Sequence, residues 1–465
     1  MIITELNSKL TCKWYNLNKG ILVRFLRVIN LLFLLCFILE AGLKGQVRVW
    51  SVDDCIKYAF DQNIQIRKAQ VSSNISQEDL LLARALRYPS LSGSARQNFS
   101  WSNQSTGTAG SEVFTGTNGT TLSLSSGMTV FNASRVTNNI RKAETDYQAA
   151  SYNVEVVKEN VSLNILNAYL QVLYAEEQVQ NSKNQVSSSS EQVMVAEARL
   201  KLGAIANSDY LTVKSQLATE KKTLASSASQ LAIDRVILLQ LMELPDTVMF
   251  ELARPNIDSL ISQKRLPSAS EVYKAALQFK PEVKNAELNR KSSEIAIQMA
   301  RAGLFPTISL SAGLASSYSS TSTTSAYFAQ VEKNISPTVD LSASIPIYSN
   351  RQAKTQIEIA KLNTTNAGLD EQNTKNILRK AIEQACLDVI SYQTEYESGM
   401  EAYQAAKEAF DVATEKNLRG ILSSVDYLVQ KTLFITAESQ LLQAKFALIF
   451  SYKILDFYLG KPLSL

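Results

Sequence analysis

The sequence predicts a mainly α-helical chain that also carries transmembrane β-strands: four strands and long coiled-coil helices, all arising from one internal duplication. Three observations predict it. The chain repeats itself at an offset of 217 residues, the step from Ser51 to Ser268. From about Ala133 to Leu202 there is neither Pro nor Gly, so about 70 residues can form one helix of roughly 105 Å at 1.5 Å per residue. Ahead of that stretch, apolar residues alternate with small polar ones, the period of a half-buried strand.

The duplication holds its register without a gap. Lys57 meets Lys274, and Ala83-Arg84-Ala85 meets Ala300-Arg301-Ala302. Tyr88-Pro89 meets Phe305-Pro306, Phe131 meets Tyr348, Gly203 meets Gly420, and Pro245 meets Pro462. Helices, breakers and turns all match. The chain divides into a leader (1–45), a first repeat (46–245), a linker (246–267) with a candidate strand Val248–Leu252, and a second repeat (268–465). Each repeat reads as helix, β-hairpin, long helix, helix, with the first helix at 52–87 ending before Pro89.

The long helices carry heptads. Val179, Val186, Val193 and Leu200 are seven apart, and their copies are Tyr396, Tyr403, Phe410 and Asn417. The returning helix, about Ser208 to Leu244, has Tyr210, Leu217, Leu224, Leu231 and Leu238; its copy has Tyr427, Phe434, Leu441, Leu448 and Leu455. Sustained sevens mean coiled-coil packing. Ser182, Ser189 and Ala196 lie between them and let helices approach closely. Helices alone would fit a soluble rod.

The β segments argue otherwise. Leu91, Ala95, Phe99 and Trp101 alternate with Ser90, Ser92, Ser94, Arg96 and Asn98. Leu122, Leu124, Met128 and Val130 alternate with Ser123, Ser125 and Thr129. The second repeat does the same with Ile308, Leu310, Ala312, Leu314 and Tyr318, and with Val339, Leu341, Ala343, Ile345 and Ile347. Strands of about ten residues, apolar outside and small-polar inside, suit a membrane barrel around water. Leu91, Phe99, Leu310 and Leu314 are the expected lipid-facing residues. A soluble sandwich is the competing reading. Ser/Thr/Gly-rich stretches at 103–119 and 319–336 are the expected loops. Four strands cannot close a barrel; two copies give a filled interior, and three give twelve strands and a lumen.

Lys19, Arg24 and Arg27 precede a short apolar run, Val28 to Leu39. About twelve residues suit a signal-peptide core rather than a spanning helix. No later run is expected to cross a membrane as a helix. The leader holds six basic residues (Lys9, Lys13, Lys19, Arg24, Arg27, Lys44) and two acidic ones (Glu5, Glu40). Taking these from the 47 basic and 43 acidic side chains leaves 41 of each. A balanced chain offers no electrostatic basis for nucleic acid. There is no histidine, which removes triads and the usual neutral-pH base. Of four cysteines, Cys12 and Cys36 lie in the leader, while Cys55 and Cys386 form no metal spacing and read as small buried side chains. No catalytic, cofactor or metal site is expected, and the chain is not expected to be an enzyme.

This order of parts resembles the outer membrane efflux protein family, the TolC-like trimeric channels. The resemblance rests on the opening Trp50-Ser51…Cys55…Ala59 with Asn63, which is similar to Bacteroidetes members. It also rests on the Tyr-Pro and Phe-Pro strand starts, the duplication, and the turns Gly203…Asp209-Tyr210-Leu211 and Gly420…Asp426-Tyr427-Leu428. It implies a homotrimeric α/β barrel: twelve strands in the outer membrane, a periplasmic helical barrel, and an equatorial belt containing the linker. It implies passive export of drugs or other small molecules. A periplasmic adaptor would dock at the tip turns (Gly203, Gly420), and an inner-membrane RND or ABC pump would supply energy. Asp209 and Asp426 match acidic positions at the family's periplasmic entrance. Other gate positions depart from the pattern: the family's second acidic ring falls on Val429, its gate Arg on Leu422 and its gate Tyr on Asn417. An Ser423-x-x-Asp426 helix cap is the structural alternative. A type I secretion duct for polypeptides is the nearest alternative function, and a coiled-coil adhesin or periplasmic scaffold is the alternative of another class.

Overall fold

The computed structural model describes residues 48–105, 112–245, 250–255, 266–322 and 326–464. The expected leader with Cys12 and Cys36, most of the linker, and residues 106–111 of the first expected loop lie outside them. The chain divides into two units, one of which joins the residues around β1 (Arg48–Trp50) to those around β4 (Phe250–Leu252). These two strands pair in parallel, Arg48 opposite Phe250 and Trp50 opposite Leu252. The Trp50 and Phe250 rings lie 6.1 Å apart. Of the candidate strand Val248–Leu252, Phe250–Leu252 is strand, and 248 and 249 lie outside the described residues.

The second unit holds everything else, and the duplication is visible in it element by element. α1 (Val52–Gln62) and α2 (Ile64–Ala85) match α5 (Ala269–Phe279) and α6 (Pro281–Ala302). α3 (Arg135–Lys201) and α8 (Gln352–Leu418) are both 67 residues long. α4 (Asn207–Met242) matches α9 (Ser424–Tyr458). The helix expected over 52–87 is in fact two. Asn63 breaks it: its side chain accepts from Gln65 N at 2.9 Å and Ile66 N at 3.3 Å, and its Nδ2 donates to Leu241 O at 2.8 Å. In the second copy Pro281 sits at the first helical position, where its missing N–H costs nothing.

A four-stranded antiparallel sheet lies between the helices of each copy, in the order β2 (Ser90–Ser105), β3 (Glu112–Phe131), β5 (Thr307–Ser319), β6 (Ser336–Ser344). The first expected loop is mostly strand, because the β2–β3 ladder runs out to Ser105 and Glu112. The second contains a short helix, α7 (Tyr327–Lys333). Ile345 and Ile347, expected in the last strand, lie beyond its end at Ser344. From strand to long helix the chain turns through two successive left-handed residues, Ala133 and Ser134, and again through Asn350 and Arg351. Non-glycine residues reach this region only at a cost. The same pair of positions adopts it in both copies.

The helices pack as their heptads dictate. Ser182, Ser189 and Ala196 are buried at every seventh position of α3, against α4. In the second copy aromatics fill the seam: Phe410 stacks on Phe434 at 5.3 Å and lies 5.5 Å from Tyr427, and Tyr403 lies 5.7 Å from Phe434. A further core gathers Val272, Ala276, Val283, Leu378, Ile382, Val389 and Leu455. Cys55 is fully buried and Cys386 partly so, and burial pushes the Cys386 thiol up. One later helix is apolar enough to cross a membrane, contrary to expectation: α9 has an 18-residue window of mean hydropathy 1.2. Within this helix Leu448, Ile449 and Leu455 are buried, while 28% of the apolar window as a whole is buried.

Candidate entrance and channel wall

Each helical hairpin turns on a glycine. Gly203 has φ +69° and Gly420 φ +75°, and a Cβ at either would meet nothing within 4 Å. Backbone conformation, not space, therefore demands glycine here. Ala204 N–H donates to Arg199 O at 2.8 Å and Gly203 N–H to Leu200 O at 2.9 Å. Ile421 N–H to Lys416 O and Gly420 N–H to Asn417 O repeat the pattern at 2.9 and 3.0 Å. Both are Schellman caps, satisfying the last helical carbonyls.

Asp426 takes part in a helix cap. Ser423 Oγ accepts from Asp426 N at 3.0 Å and donates to Asp426 Oδ2 at 2.7 Å. Asp426 is exposed in the single chain. Asp209 stands at the same place in the first copy, behind Ala206, which offers no side-chain cap. The capping alternative is thus realised at Asp426 and absent at Asp209.

Three contacts that sequence reasoning missed tie the two hairpins together near these turns. Arg199 donates to Asn417 O at 3.2 Å and Leu418 O at 2.8 Å, placing a cation on the C-terminus of α8, where the helix dipole favours it. Gln192 Nε2 donates to the Tyr427 hydroxyl. Burial raises the Tyr427 pKa, so the phenol stays protonated. Deeper in, Lys431 Nζ lies 2.9 Å from Glu220 Oε1, with both side chains about 95% buried, and donates to Ser189 Oγ. A cavity of about 250 Å³ separates these contacts, lined by Gln192, Arg199, Val213, Asn417 and Tyr427. A signal existed: Lys431 falls four residues after the heptad position Tyr427, and Glu220 three after Leu217. Both therefore put charge on an apolar seam.

The sheet separates the two kinds of residue by register. Leu91 lies opposite Ser126 and Ala95 opposite Leu122; Leu124 opposes both Gly93 and Leu314; Leu310 opposes Met128 and Leu341. Leu91, Phe99, Leu310 and Leu314 therefore share one face, and all are exposed in the single chain. The opposite face is hydroxyl-rich: Ser92 and Ser94 bond across the ladder to Ser125 and Ser123 at 2.8 and 2.7 Å. Its charged members are Arg96 and Asp340. The apolar rows from Val130 to Leu122 cover roughly 26 Å of strand at about 3.3 Å per residue, or roughly 20 Å of height at a tilt of about 40°. Aromatic residues flank them. Tyr88, Phe131, Phe305 and Tyr348 are exposed at the helical end. At the far end Phe99 stacks on Trp101 at 6.5 Å, and Tyr318 lies 4.7 Å from Tyr327. Gly116 faces Trp101 across the ladder, and any Cβ there would fall 2.8 Å from Nε1.

A family model described as outer membrane efflux protein matches residues 55–242 and 272–461. The chain belongs to that family. The two matched stretches begin 217 residues apart, at Cys55 and Val272. The fold is similar to that of solved channels. CusC is 19% identical with a TM-score of 0.74, over 89% of this chain and 92% of that one. The Campylobacter jejuni CmeC outer membrane channel is 16% identical at 0.74, over 88% and 85%. The open state of the Neisseria gonorrhoeae MtrE outer membrane channel is 19% identical at 0.71, over 89% and 90%. No curated protein sequence matches the chain. This outer membrane efflux protein thus carries its strands in the outer membrane and its helical barrel in the periplasm.

Proposed function

We propose that the protein assembles as a homotrimer into a passive conduit, without catalysis, for small molecules such as drugs and toxic compounds. The open sheet edges carry this reading. Among the described residues β2 pairs only with β3, and β6 only with β5. Unpaired backbone groups cannot remain in hydrocarbon, so the edges must close on other copies. Three copies give twelve strands. The apolar face with its aromatic rims turns to lipid, and the serine face lines a wet lumen with small side chains.

At the periplasmic end, the tips around Gly203 and Gly420 dock an adaptor, which links the duct to an inner-membrane RND or ABC pump. Asp426, with Asp209 beside it, forms the entrance. Three Asp426 carboxylates around one axis attract cations and divalent ions in proportion to inverse distance. With Val429 in place of a second acidic ring, the block is weaker than two rings would give. Planar-bilayer recording of Asp426→Asn tests this: cation selectivity and divalent block should fall while trimer yield stays unchanged, because Asn still caps a helix. Unaltered selectivity and block would leave Asp426 a helix cap alone.

A further inference from the structure

α7 lies on the apolar side of the sheet, not beside it. Ser316 Oγ donates to Val331 O, Asn334 Nδ2 donates to Ser317 O at 2.7 Å, and Ser319 N–H donates to Gln330 Oε1 at 3.1 Å. Ser316 and Tyr318 occupy the same face as Leu310 and Leu314, so the Tyr318–Tyr327 ring contact fixes the side on which the helix sits. Gln330 of α7, and Asn334 just beyond it, are spent on the sheet. Its apolar ones are not: Phe328 is 82% exposed and Ile335, just beyond its end, 54%.

Between helix and sheet runs a slot of about 630 Å³, lined chiefly by Gly93, Leu124, Leu314, Phe328, Val331 and Ile335, with Glu332 at its side, within the roughly 300–1,000 Å³ of small-molecule sites. Its floor continues the apolar rows of the sheet through Leu122, Leu124 and Leu314. Gly93 keeps the floor open. A Cβ there would meet Leu124 Cδ1 at 3.9 Å and Ser123 O at 4.0 Å, ordinary contacts, and its φ is not left-handed.

We propose that this slot binds one acyl chain of an outer-leaflet lipid, clamped between α7 and the outer half of the apolar band. The proposal rests on the reading that this face of the sheet turns to lipid. Floor and lid are mostly apolar, Glu332 being the one charged lining residue, and the slot continues the face of the sheet that this reading turns to hydrocarbon.

Two measurements on the full trimer test it. In native mass spectrometry after detergent exchange, the wild type should retain up to three lipids per trimer. Gly93→Phe, whose ring fills the slot, should lower the lipid-bound fraction at least fivefold. In vesicles of phosphatidylcholine brominated on its acyl chains, and with Trp101→Phe to lower the background, Phe328→Trp and Leu341→Trp should both be quenched. Leu341 lies on the same face but is not among the slot residues. Quenching at neither position would overturn the lipid-facing assignment itself. Quenching at Leu341→Trp without Phe328→Trp would overturn the slot alone. Wild-type lipid retention in Gly93→Phe would also overturn it, leaving α7 in contact with bulk lipid only.

Discussion

Lys431→Met should loosen the second hairpin from the first. Lys431 projects from α9 into a pocket walled by α3 and α4, where Glu220 Oε1 sits 2.9 Å from its ammonium. Glu220 Oε1 also accepts from Gln216 at 3.1 Å, while Oε2 has no partner. The substitution keeps most of the side-chain volume but strands a carboxylate away from water. Removing one member of a buried ion pair typically costs about 3–5 kcal/mol, because the remaining charge keeps its desolvation penalty. At about 1.4 kcal/mol per factor of ten, amides of α9 near Lys431 should exchange with deuterium roughly two to nearly four orders of magnitude faster than in the wild type.

The partner mutation supplies the control. Replacing both charges, Lys431→Met with Glu220→Leu, removes the stranded carboxylate and leaves an apolar contact. Such replacements are often neutral or stabilising, so protection in the double variant should return to within about 1 kcal/mol of the wild type. A single variant that loses less than about 1 kcal/mol, or a double variant no better than the single, would refute the claim that an uncompensated buried charge sets the cost.

Gly420→Ala forces a Cβ into left-handed backbone and should cost about 1–2 kcal/mol in thermal unfolding. Gly420→Asn should cost less, because Asn tolerates that region; Gly203 should behave alike, since neither site is crowded. Leu310→Arg should impair assembly by roughly 2–4 kcal/mol if it meets the bilayer midplane. Ser309→Arg should be tolerated, and equal loss of trimer on semi-native gels from both would end the face assignment.

The architecture was legible because its signals were periodic. The offset of 217 residues, the alternation in the strands and the unbroken stretch before Leu202 each report a backbone geometry that a sequence carries directly. The break at Asn63 was missed because Asn is not a strong helix breaker and the turn depends on its reaching the distant Leu241 carbonyl; in the second copy Pro281 did signal the break after Lys280. α7 was hidden in a Ser/Thr-rich stretch, with too few residues to show a period. At the entrance, motif matching found Gly203, Gly420, Asp209 and Asp426. It held Arg199 within the matched turn without giving it a role, and it did not find Gln192, Glu220 or Lys431, which act by meeting across the two halves. Such pairs leave no mark in a repeat comparison, because their partners do not share an offset.

That mismatch has a consequence for how the tips behave. The helices of the two copies agree to within a residue, yet the polar chemistry has diverged at matched positions. Lys214 corresponds to Lys431, but Lys214 lies 5.6 Å over the Tyr210 ring. Ala437 stands where Glu220 would have its copy, so the buried pair exists in one direction only. Asn63 corresponds to Lys280, which is buried against Glu159 at 3.0 Å with the Phe457 ring 3.1 Å away. Ala206 corresponds to the capping Ser423. Six hairpins around the axis of the proposed trimer would therefore alternate between two kinds. The gap inside each protomer is crossed by Arg199, Gln192 and Lys431. A duplication with identical chemistry would make the gaps within and between protomers nearly equivalent, and any opening would have to strain all six. Divergence at Glu220 and Ala437 removes that equivalence: the buried ion pair that holds the second hairpin to the first has no copy at the matched positions.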